Sequence, residues 1–188
     1  IVVDPRRTET ADMADLHLQV KPGGDAYLLG AILALLVQRD LVDTEFLDAH
    51  TVDFETVRDA FMTAPVDAWI KGSGVPVADV EAAVTMIANA KAMSIRAELG
   101  IQQSKNSTLN SYLEKLLFLL TGNFGREGTN SLHSWLQPLW ANSRGAQSPV
   151  TEMAEIAGLY PPNRFPAEIL TDHPDRLRAV FIDSLSTQ

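Results

Sequence analysis

The chain has 188 residues, of which 15 are lysine or arginine and 24 aspartate or glutamate, so its formal net charge is −9. This acidic balance, without a dense basic stripe, argues against a domain that binds the phosphate backbone of nucleic acid. Cysteine is absent, which excludes disulfides, cysteine-ligated zinc and iron–sulfur clusters within these residues. Hydrophobic residues make up 46% of the sequence, so we expect one packed domain over residues 1–188.

Two short strands and a buried helix are predicted at the start of the chain. Residues 1–4 are an apolar run typical of a buried strand, and residues 16–20 alternate apolar and polar side chains as a second strand does. After a turn, Asp25 is expected to cap a helix over residues 26–39. Apolar residues occur nearly all round this helix, which predicts deep burial. No apolar run is long enough to span a bilayer, so we expect no membrane contact by this segment.

The middle of the chain is predicted to be helical, with one strand. Short helices separated by polar breaks are expected over residues 44–72. Pro76 suits the first position of the next helix, because its missing N–H is not needed there. Residues 92–97 are predicted to form a strand that leads into a loop.

A fourth major helix is expected to begin at Ser107 or Thr108, with leucines on its core face. Gly122 and Asn123 are predicted to end it in a left-handed conformation. Residues 122–167 are rich in glycine and proline and show little periodicity. A long irregular segment is therefore expected there, and such segments are usually functional or cover another part of the protein.

Residues 178–183 complete the pattern with another apolar run typical of a buried strand. Alternation of strands and helices favours an α/β fold with a mostly parallel sheet and helices on both faces. In such sheets, ligands bind beyond the carboxyl ends of the strands. Three loops that follow predicted strands are therefore the candidate binding sites.

The first loop contains Asp4, Pro5, Arg6, Arg7 and Thr8. An aspartate at a strand end can accept hydrogen bonds from a ribose hydroxyl or from guanine N–H groups. Arginine and threonine can hold phosphate oxygens. The alternative is that Asp4 only caps the turn and that both arginines are solvated.

The second loop, with Gly23, Gly24 and Asp25, leads directly into the predicted buried helix. Backbone N–H groups at a helix start favour anions, and glycines allow a ligand to approach the main chain closely. The alternative is a tight turn followed by a capping aspartate. The pattern is neither the G-x-G-x-x-G dinucleotide motif nor a Walker A motif.

The third loop follows the strand predicted at residues 92–97 and includes Leu99, Gly100 and Gln103. A glutamine amide both donates and accepts hydrogen bonds, which suits the edge of a heterocycle. This loop alone is only weakly diagnostic.

No catalytic or metal-binding motif accompanies these loops. The four histidines lack metal-ligand spacing, and no G-x-S-x-G sequence is present. His17 is expected to be a half-buried strand residue, and His173 a solvated or capping residue. We therefore expect no catalytic residue and no metal ligand in this segment.

Taken in order, these loops resemble segments of the molybdopterin oxidoreductase (DMSO reductase) family. The similarity is carried by residues 1–15, which resemble a strand followed by DPR.T.TA..AD, by residues 22–25, which resemble PG(T/S)D, by residues 99–103, which resemble G..Q, and by residues 120–128, which resemble LTGN.GRPG. Two positions depart from these patterns. Gly24 stands where the family has a hydroxyl residue, and Glu127 where it usually has proline.

The resemblance implies a Rossmann-like domain that binds one of the two molybdopterin guanine dinucleotides of a molybdenum or tungsten enzyme of formate dehydrogenase or nitrate reductase type. It implies that the first two loops contact the guanosine and phosphate end. It implies that Leu99 and Gln103 lie nearer the pterin. In the family, the metal ligand and often a [4Fe-4S] cluster lie upstream. The isolated segment is thus expected to bind no cofactor and to be inactive.

The apolar start without methionine suggests a domain cut from a longer bacterial enzyme, with the other domains and electron-transfer subunits as partners. No nucleic acid partner is expected. The cytoplasm is favoured, unless an upstream twin-arginine leader directs the protein to the periplasm. The alternative function is a stand-alone nucleotide-binding or interaction module with a Rossmann-like fold. An NAD-dependent Rossmann enzyme is opposed by the missing glycine motif.

Overall fold

The computed structural model describes residues 1–130, 146–155 and 164–180. The chain divides into two compact units, Ile1–Leu132 and His133–Gln188. The described elements of the first unit are β1 (Val2–Val3), α1 (Glu9–Asp12), β2 (His17–Leu18), α2 (Asp25–Gln38), α3 (Thr44–His50), α4 (Phe54–Met62), α5 (Val66–Ser73), α6 (Val77–Ala88), α7 (Leu99–Gln102) and α8 (Ser107–Leu120). The described part of the second unit contains α9 (Phe165–Ile169).

Strands β1 and β2 pair in parallel, with Val2 opposite His17 and Val3 opposite Leu18. The amide of Asp4 also donates to the carbonyl of Leu18, at 3.3 Å. Because the strands run in the same direction, the loops that follow them start at the same edge. The described residues are thus rich in helix with one small parallel sheet, which is compatible with the predicted α/β class. The first strand is not buried as predicted, because Ile1 and Val3 are 45% and 47% exposed.

Helix α2 lies at the centre of the first unit. Nine of its 14 residues are buried, and Leu33 and Leu36 have no exposed surface. It packs against α4, α5, α6 and α8. A helix that is apolar all round is stable only when it is surrounded, and this confirms the burial predicted from its sequence.

Helices α2 and α5 approach each other closely at two glycines, each covered by an aromatic ring of the other helix. A Cβ atom on Gly30 of α2 would lie 3.1 Å from Cε3 of Trp69 in α5. A Cβ atom on Gly72 of α5 would lie 3.0 Å from Cγ of Tyr27 in α2. We call this arrangement the glycine–aromatic exchange; a Cβ atom at either glycine would require the facing ring to move by a few tenths of an ångström.

A pair of hydrogen bonds joins the end of α2 to α6. Nη1 of Arg39 donates to Oε2 of Glu81 at 2.6 Å, and Nη2 donates to Oε1 at 2.8 Å. Hydrogen bonding to Arg39 lowers the pKa of Glu81 and raises the pKa of Arg39. Both side chains are about two-fifths exposed, so water screens the pair and its contribution stays below about 1 kcal/mol.

The helix ends agree with the sequence only in part. Pro76 is the N-cap of α6 and not its first helical residue as predicted, because its ψ of 141° is extended. Helices α3, α4 and α5 confirm the short helices predicted over residues 44–72, and Gly122 has the expected left-handed conformation, with φ of +64°. The predicted cap of α2 is wrong. Gly24 is the N-cap and Asp25 is the first helical residue, because Gly24 already has helical backbone angles, φ −86° and ψ −1°.

The strand predicted at residues 92–97 is also wrong. The structure has neither helix nor strand at residues 93–98. The amides of Met93 and Ile95 donate to the side chains of Asn123 and Asn130, so no neighbouring strand is needed to satisfy them. Of the strand predicted at residues 178–183, residues 178–180 have no strand structure, and the remainder lies outside the described residues.

The second unit is described over residues 146–155 and 164–180, so the predicted irregular segment is described only in part. Its best-defined feature is a cluster around Glu168, whose Oε1 accepts hydrogen bonds from the hydroxyls of Ser148 at 2.6 Å and Thr151 at 2.5 Å. These bonds lower the pKa of Glu168. In neither unit does a described helix combine the length and apolar character needed to cross a membrane.

We expect Glu81→Gln to lower the free energy of unfolding by less than about 1 kcal/mol at neutral pH. The folded-state pKa of Glu81 is lowered, so its stabilisation is present above the ordinary value of 4.5 and is lost as the pH falls through the lowered value. Urea denaturation at pH 7 and at about pH 3 measures the difference between the variant and the wild type. A difference that grows at acid pH would contradict this assignment.

We expect Gly30→Val to lower the free energy of unfolding by about 1–3 kcal/mol, because the added carbons overlap the ring of Trp69. Urea denaturation measures the effect. The matched control is Ala82→Val on the exposed face of α6, which changes only helix propensity and costs less than about 0.7 kcal/mol. Equal effects of the two substitutions would show that the glycine–aromatic exchange is not tightly packed.

Candidate functional site

The first loop is shaped by two of its own side chains. Oδ1 of Asp4 accepts a hydrogen bond from the amide of Arg6 at 2.7 Å. The hydroxyl of Thr8 caps α1 by accepting from the amide of Ala11 at 3.3 Å. Asp4 therefore holds the turn, as the alternative interpretation expected, while its second carboxylate oxygen has no hydrogen-bond partner within the described residues.

The two arginines of this loop are exposed and differ in their partners. Nε of Arg7 donates to Oδ1 of Asp12 at 2.5 Å, and both side chains are well exposed. The guanidinium of Arg6 has neither an ion pair nor a hydrogen bond within the described residues. An anion at this loop would meet one unpaired cation and a second that it must share with Asp12.

Side chains of β2 and of the residue after it connect to the first loop. The ring of His17 is hydrogen-bonded through Nε2 to the carbonyl of Asp4 at 2.9 Å. Nε2 of Gln19 donates to the carbonyl of Pro5 at 3.0 Å. Because β2 continues into the second loop, these bonds hold the first two candidate loops at one edge of the sheet. His17 is half-buried in a strand, as predicted.

The second loop is a tight turn fixed to α5. The amide of Gly24 donates to the carbonyl of Lys21 at 2.7 Å, and the amide of Lys21 donates to the carbonyl of Ser73 at 2.9 Å. A Cβ atom on Gly24 would lie 2.9 Å from the first of these oxygens and 3.0 Å from the second. The hydroxyl residue that the family has here would not fit without movement of the backbone. Gly23, by contrast, borders open space and has φ of +78°.

Asp25 is half-buried in the first turn of α2, where a carboxylate interacts favourably with the helix dipole. Its place in the helix leaves the N-terminal amides of α2 beside the second loop. The negative charge of Asp25 partly offsets their attraction for an anion.

The third loop lies in a different environment. Leu99 and Gly100 belong to α7, which packs on α8, and Gln103 follows its last residue. Leu99 is 63% exposed, Gln103 is exposed, and a Cβ atom on Gly100 would meet nothing within 4 Å. The described hydrogen bonds connect this loop to α8, whereas those of the first two loops reach β2 and α5.

The remaining ionisable side chains form no metal site in the part of the chain that the structure describes. Within residues 1–130, 146–155 and 164–180, no group of His, Asp and Glu side chains is arranged to hold a metal ion. His173 accepts a hydrogen bond from the amide of Asp175 at 3.1 Å, the local capping role that was predicted for it.

The sequence analysis missed the side chains of Asn123 and Asn130, which bind the backbone that leads into the third loop. Asn123 had been assigned only to the helix end, although it is 2% exposed. The sequence carried no signal for this, because the burial that obliges a side-chain amide to find hydrogen-bond partners is visible only in the structure.

We expect Gly24→Ser to lower the free energy of unfolding by about 1–3 kcal/mol, because its Cβ is pressed against two backbone oxygens. The control is Gly100→Ala, which has open space around it and is expected to stay within about 1 kcal/mol of the wild type. Thermal or urea unfolding measures both. If Gly24→Ser leaves the free energy of unfolding unchanged, the turn at Lys21 relaxes easily. The glycine at this position would then have no packing cause.

Comparison with known proteins gives a consistent set of relatives. The chain is 37% identical over 138 residues to a nitrate reductase of Synechocystis sp., an alignment that covers 73% of this chain and 19% of that protein. It is 38% identical over 129 residues to F420-dependent formate dehydrogenase 1 subunit alpha of Methanococcus maripaludis, covering 69% and 19% respectively. No protein-family model matches the chain.

A solved structure supports the same relationship. Acetylene hydratase from Pelobacter acetylenicus is similar to the chain with a TM-score of 0.64 and 28% identity, over 68% of this chain and 18% of that one. The chain therefore spans about a fifth of the length of the curated relatives that it matches. Because these nitrate reductases, formate dehydrogenases and acetylene hydratase are all molybdopterin enzymes, the chain belongs to the molybdopterin oxidoreductase (DMSO reductase) family.

Proposed function

We propose that the chain is a cofactor-binding domain of a molybdenum- or tungsten-dependent oxidoreductase of formate dehydrogenase or nitrate reductase type. The observation that carries the proposal is the similarity to a nitrate reductase over 73% of this chain but only 19% of that protein. The family implies a molybdenum or tungsten pterin cofactor. Its guanine dinucleotide form, two copies per enzyme, is part of the proposal, as is a [4Fe-4S] cluster elsewhere in the polypeptide.

The donors at the sheet edge fit the diphosphate of such a dinucleotide. A diphosphate requires cations and N–H groups, preferably beside backbone that it can approach closely. The unpaired guanidinium of Arg6, the exposed guanidinium of Arg7 and the open backbone at Gly23 supply these features. Asp4 keeps one carboxylate oxygen for a guanine N–H or a ribose hydroxyl.

The role of this chain is to bind and orient the cofactor, which supplies the redox chemistry when bound. In this proposal, Arg6 and Arg7 hold phosphate oxygens and Asp4 recognises the nucleoside. Pro5 and Thr8 shape that loop, and the exposed loop with Leu99, Gly100 and Gln103 lies nearer the pterin. Gly24 contributes only backbone, because it is packed between two carbonyl oxygens.

We also propose the type of sheet, the domain boundaries, the partners and the compartment, all from the family to which the chain belongs. The parallel pair β1–β2 is taken as part of a Rossmann-like sheet in a single domain over residues 1–188. The other domains of the same polypeptide, and electron-transfer subunits, would be its partners. The isolated segment would be inactive, because its loops supply binding groups and no catalytic residue. The cytoplasm is the proposed compartment, or the periplasm if a twin-arginine leader precedes the chain.

We expect Arg6→Ala with Arg7→Ala, introduced into the full-length enzyme, to lower its molybdenum or tungsten and pterin content. Each charge-assisted hydrogen bond to phosphate is worth about 1.5–3 kcal/mol, so the loss of one weakens cofactor affinity by about tenfold or more. Metal analysis and measurement of the released pterin after gel filtration detect the change. Because Asp12 already neutralises part of the charge of Arg7, Arg6→Ala alone is expected to have the larger single effect.

The matched control is Arg58→Ala, which removes an exposed arginine of α4 that pairs with Glu55. It is expected to leave the metal and pterin content unchanged. Normal cofactor loading in the double variant would contradict the assignment of the first loop. A full-length protein that contains no pterin at all would favour the stand-alone nucleotide-binding module.

A further inference from the structure

The backbone before the third loop is held by two asparagine side chains that are distant in sequence. Oδ1 of Asn123 accepts from the amide of Met93 at 2.8 Å. Oδ1 of Asn130 accepts from the amide of Ile95 at 2.8 Å, and Nδ2 of Asn130 donates to the carbonyl of Ile95 at 3.0 Å. These three bonds, which we call the asparagine clamp, replace the pairing that a neighbouring strand would give.

The first half of the clamp is rigid because Asn123 is itself fixed. Its side chain is 2% exposed, and Nδ2 donates to the carbonyl and the hydroxyl of Thr121 at 3.0 and 2.9 Å. Its own amide donates to the carbonyl of Phe118 at 2.7 Å, at the end of α8. Oδ1 also accepts from Nη2 of Arg126 at 3.2 Å, so the oxygen that holds Met93 is already oriented.

The second half of the clamp, Asn130, is fixed because the loop of residues 123–130 closes on itself. The amide of Asn130 donates to the carbonyl of Asn123 at 3.2 Å, and its carbonyl accepts from the amide of Gly125 at 2.8 Å. Nε of Arg126 donates to the carbonyl of Gly122 at 3.0 Å. The backbone bonds of Asn130 do not depend on its side chain, so the side chain can be removed without opening the loop.

The clamp sets the position at which the third loop begins. Ile95 lies four residues before Leu99, the first residue of α7, and the intervening Arg96 and Glu98 are exposed. The far end of the loop is held by another asparagine, because Nδ2 of Asn110 in α8 donates to Oγ of Ser104 at 2.8 Å. The loop with Leu99 and Gln103 is therefore attached to α8, or to the turn after it, at both ends.

We propose that Asn123 and Asn130 are positioning residues that fix the Leu99–Gln103 loop for contact with the cofactor. The inference rests on the proposed function, because it takes this loop as a cofactor-binding element. Neither asparagine needs to touch the cofactor. Each acts through the backbone of residues 93–95, whose amides it holds while the side chains of Met93 and Ile95 pack against the core.

The test is hydrogen exchange in the full-length enzyme, measured by mass spectrometry over residues 93–103, together with its metal and pterin content. Asn130→Ala removes two of the three clamp bonds, and amide exchange at these residues is expected to rise by about tenfold. Cofactor retention after gel filtration is expected to fall. Asn130→Asp keeps an acceptor for the amide of Ile95, so exchange of that amide is expected to lie nearer the wild type.

The matched control is Asn89→Ala, which removes a local bond of 2.8 Å from Nδ2 to the carbonyl of Thr85 at the end of α6. It is expected to change neither exchange over residues 93–103 nor cofactor content. If Asn130→Ala does not yield folded enzyme, Asn130→Asp carries the same comparison. Asn130→Asp must then raise hydrogen exchange at residues 96–103, because the aspartate has no N–H group to donate to the carbonyl of Ile95.

Unchanged exchange over residues 93–103 in the Asn130 variants would overturn the clamp. Raised exchange with full cofactor retention would overturn its role in positioning a cofactor-binding loop. The proposed function fails separately, when the full-length wild-type protein contains no pterin. In that case, raised exchange in Asn130→Ala would still establish the clamp as a holder of this loop.

Discussion

The structure depends on the burial of α2, a helix that has no polar face to turn toward water. Leu28, Leu33 and Leu36 are almost wholly buried, so the helix is stable only when other elements enclose it. Helices α4, α5, α6 and α8 provide that enclosure. The second candidate loop precedes α2 directly and is bonded to Ser73 of α5, so core packing and loop geometry cannot change independently.

The sequence predicts the parts of this fold that repeat a regular pattern. The apolar periodicity of α2 and α8 and the left-handed Gly122 follow from local rules, and the family resemblance from the order of several motifs. The strand expected at residues 92–97 fails because its amides bind Asn123 and Asn130. No local pattern connects an amide to a side chain 30 or 35 residues away. Similarly, aspartate is a residue type that favours the N-cap, but Gly24 takes that position and Asp25 is the first residue of the helix.

The formal net charge of the chain does not describe the local charge of the first loop. The chain carries a formal charge of −9, yet its first loop presents two exposed guanidinium groups at a sheet edge. Salt screens charges beyond about 10 Å, so an anion there is affected mainly by its nearest neighbours. Arg6 has no partner among the described residues, while Arg7 is engaged with Asp12. In the first loop, Asp4 and Thr8 accept hydrogen bonds from backbone amides and so hold the loop. Only the structure separates such residues from those whose side chains remain available to a ligand.

The glycine–aromatic exchange also sets the register between two helices. Tyr27 and Trp69 lie over Gly72 and Gly30 in opposite directions, so sliding α5 along α2 would displace both rings at once. A shift of one helical turn, about 5.4 Å, would carry Ser73 away from the amide of Lys21 and leave that amide without its partner. The packing of these two glycines therefore fixes the backbone of Lys21, at the start of the second candidate loop.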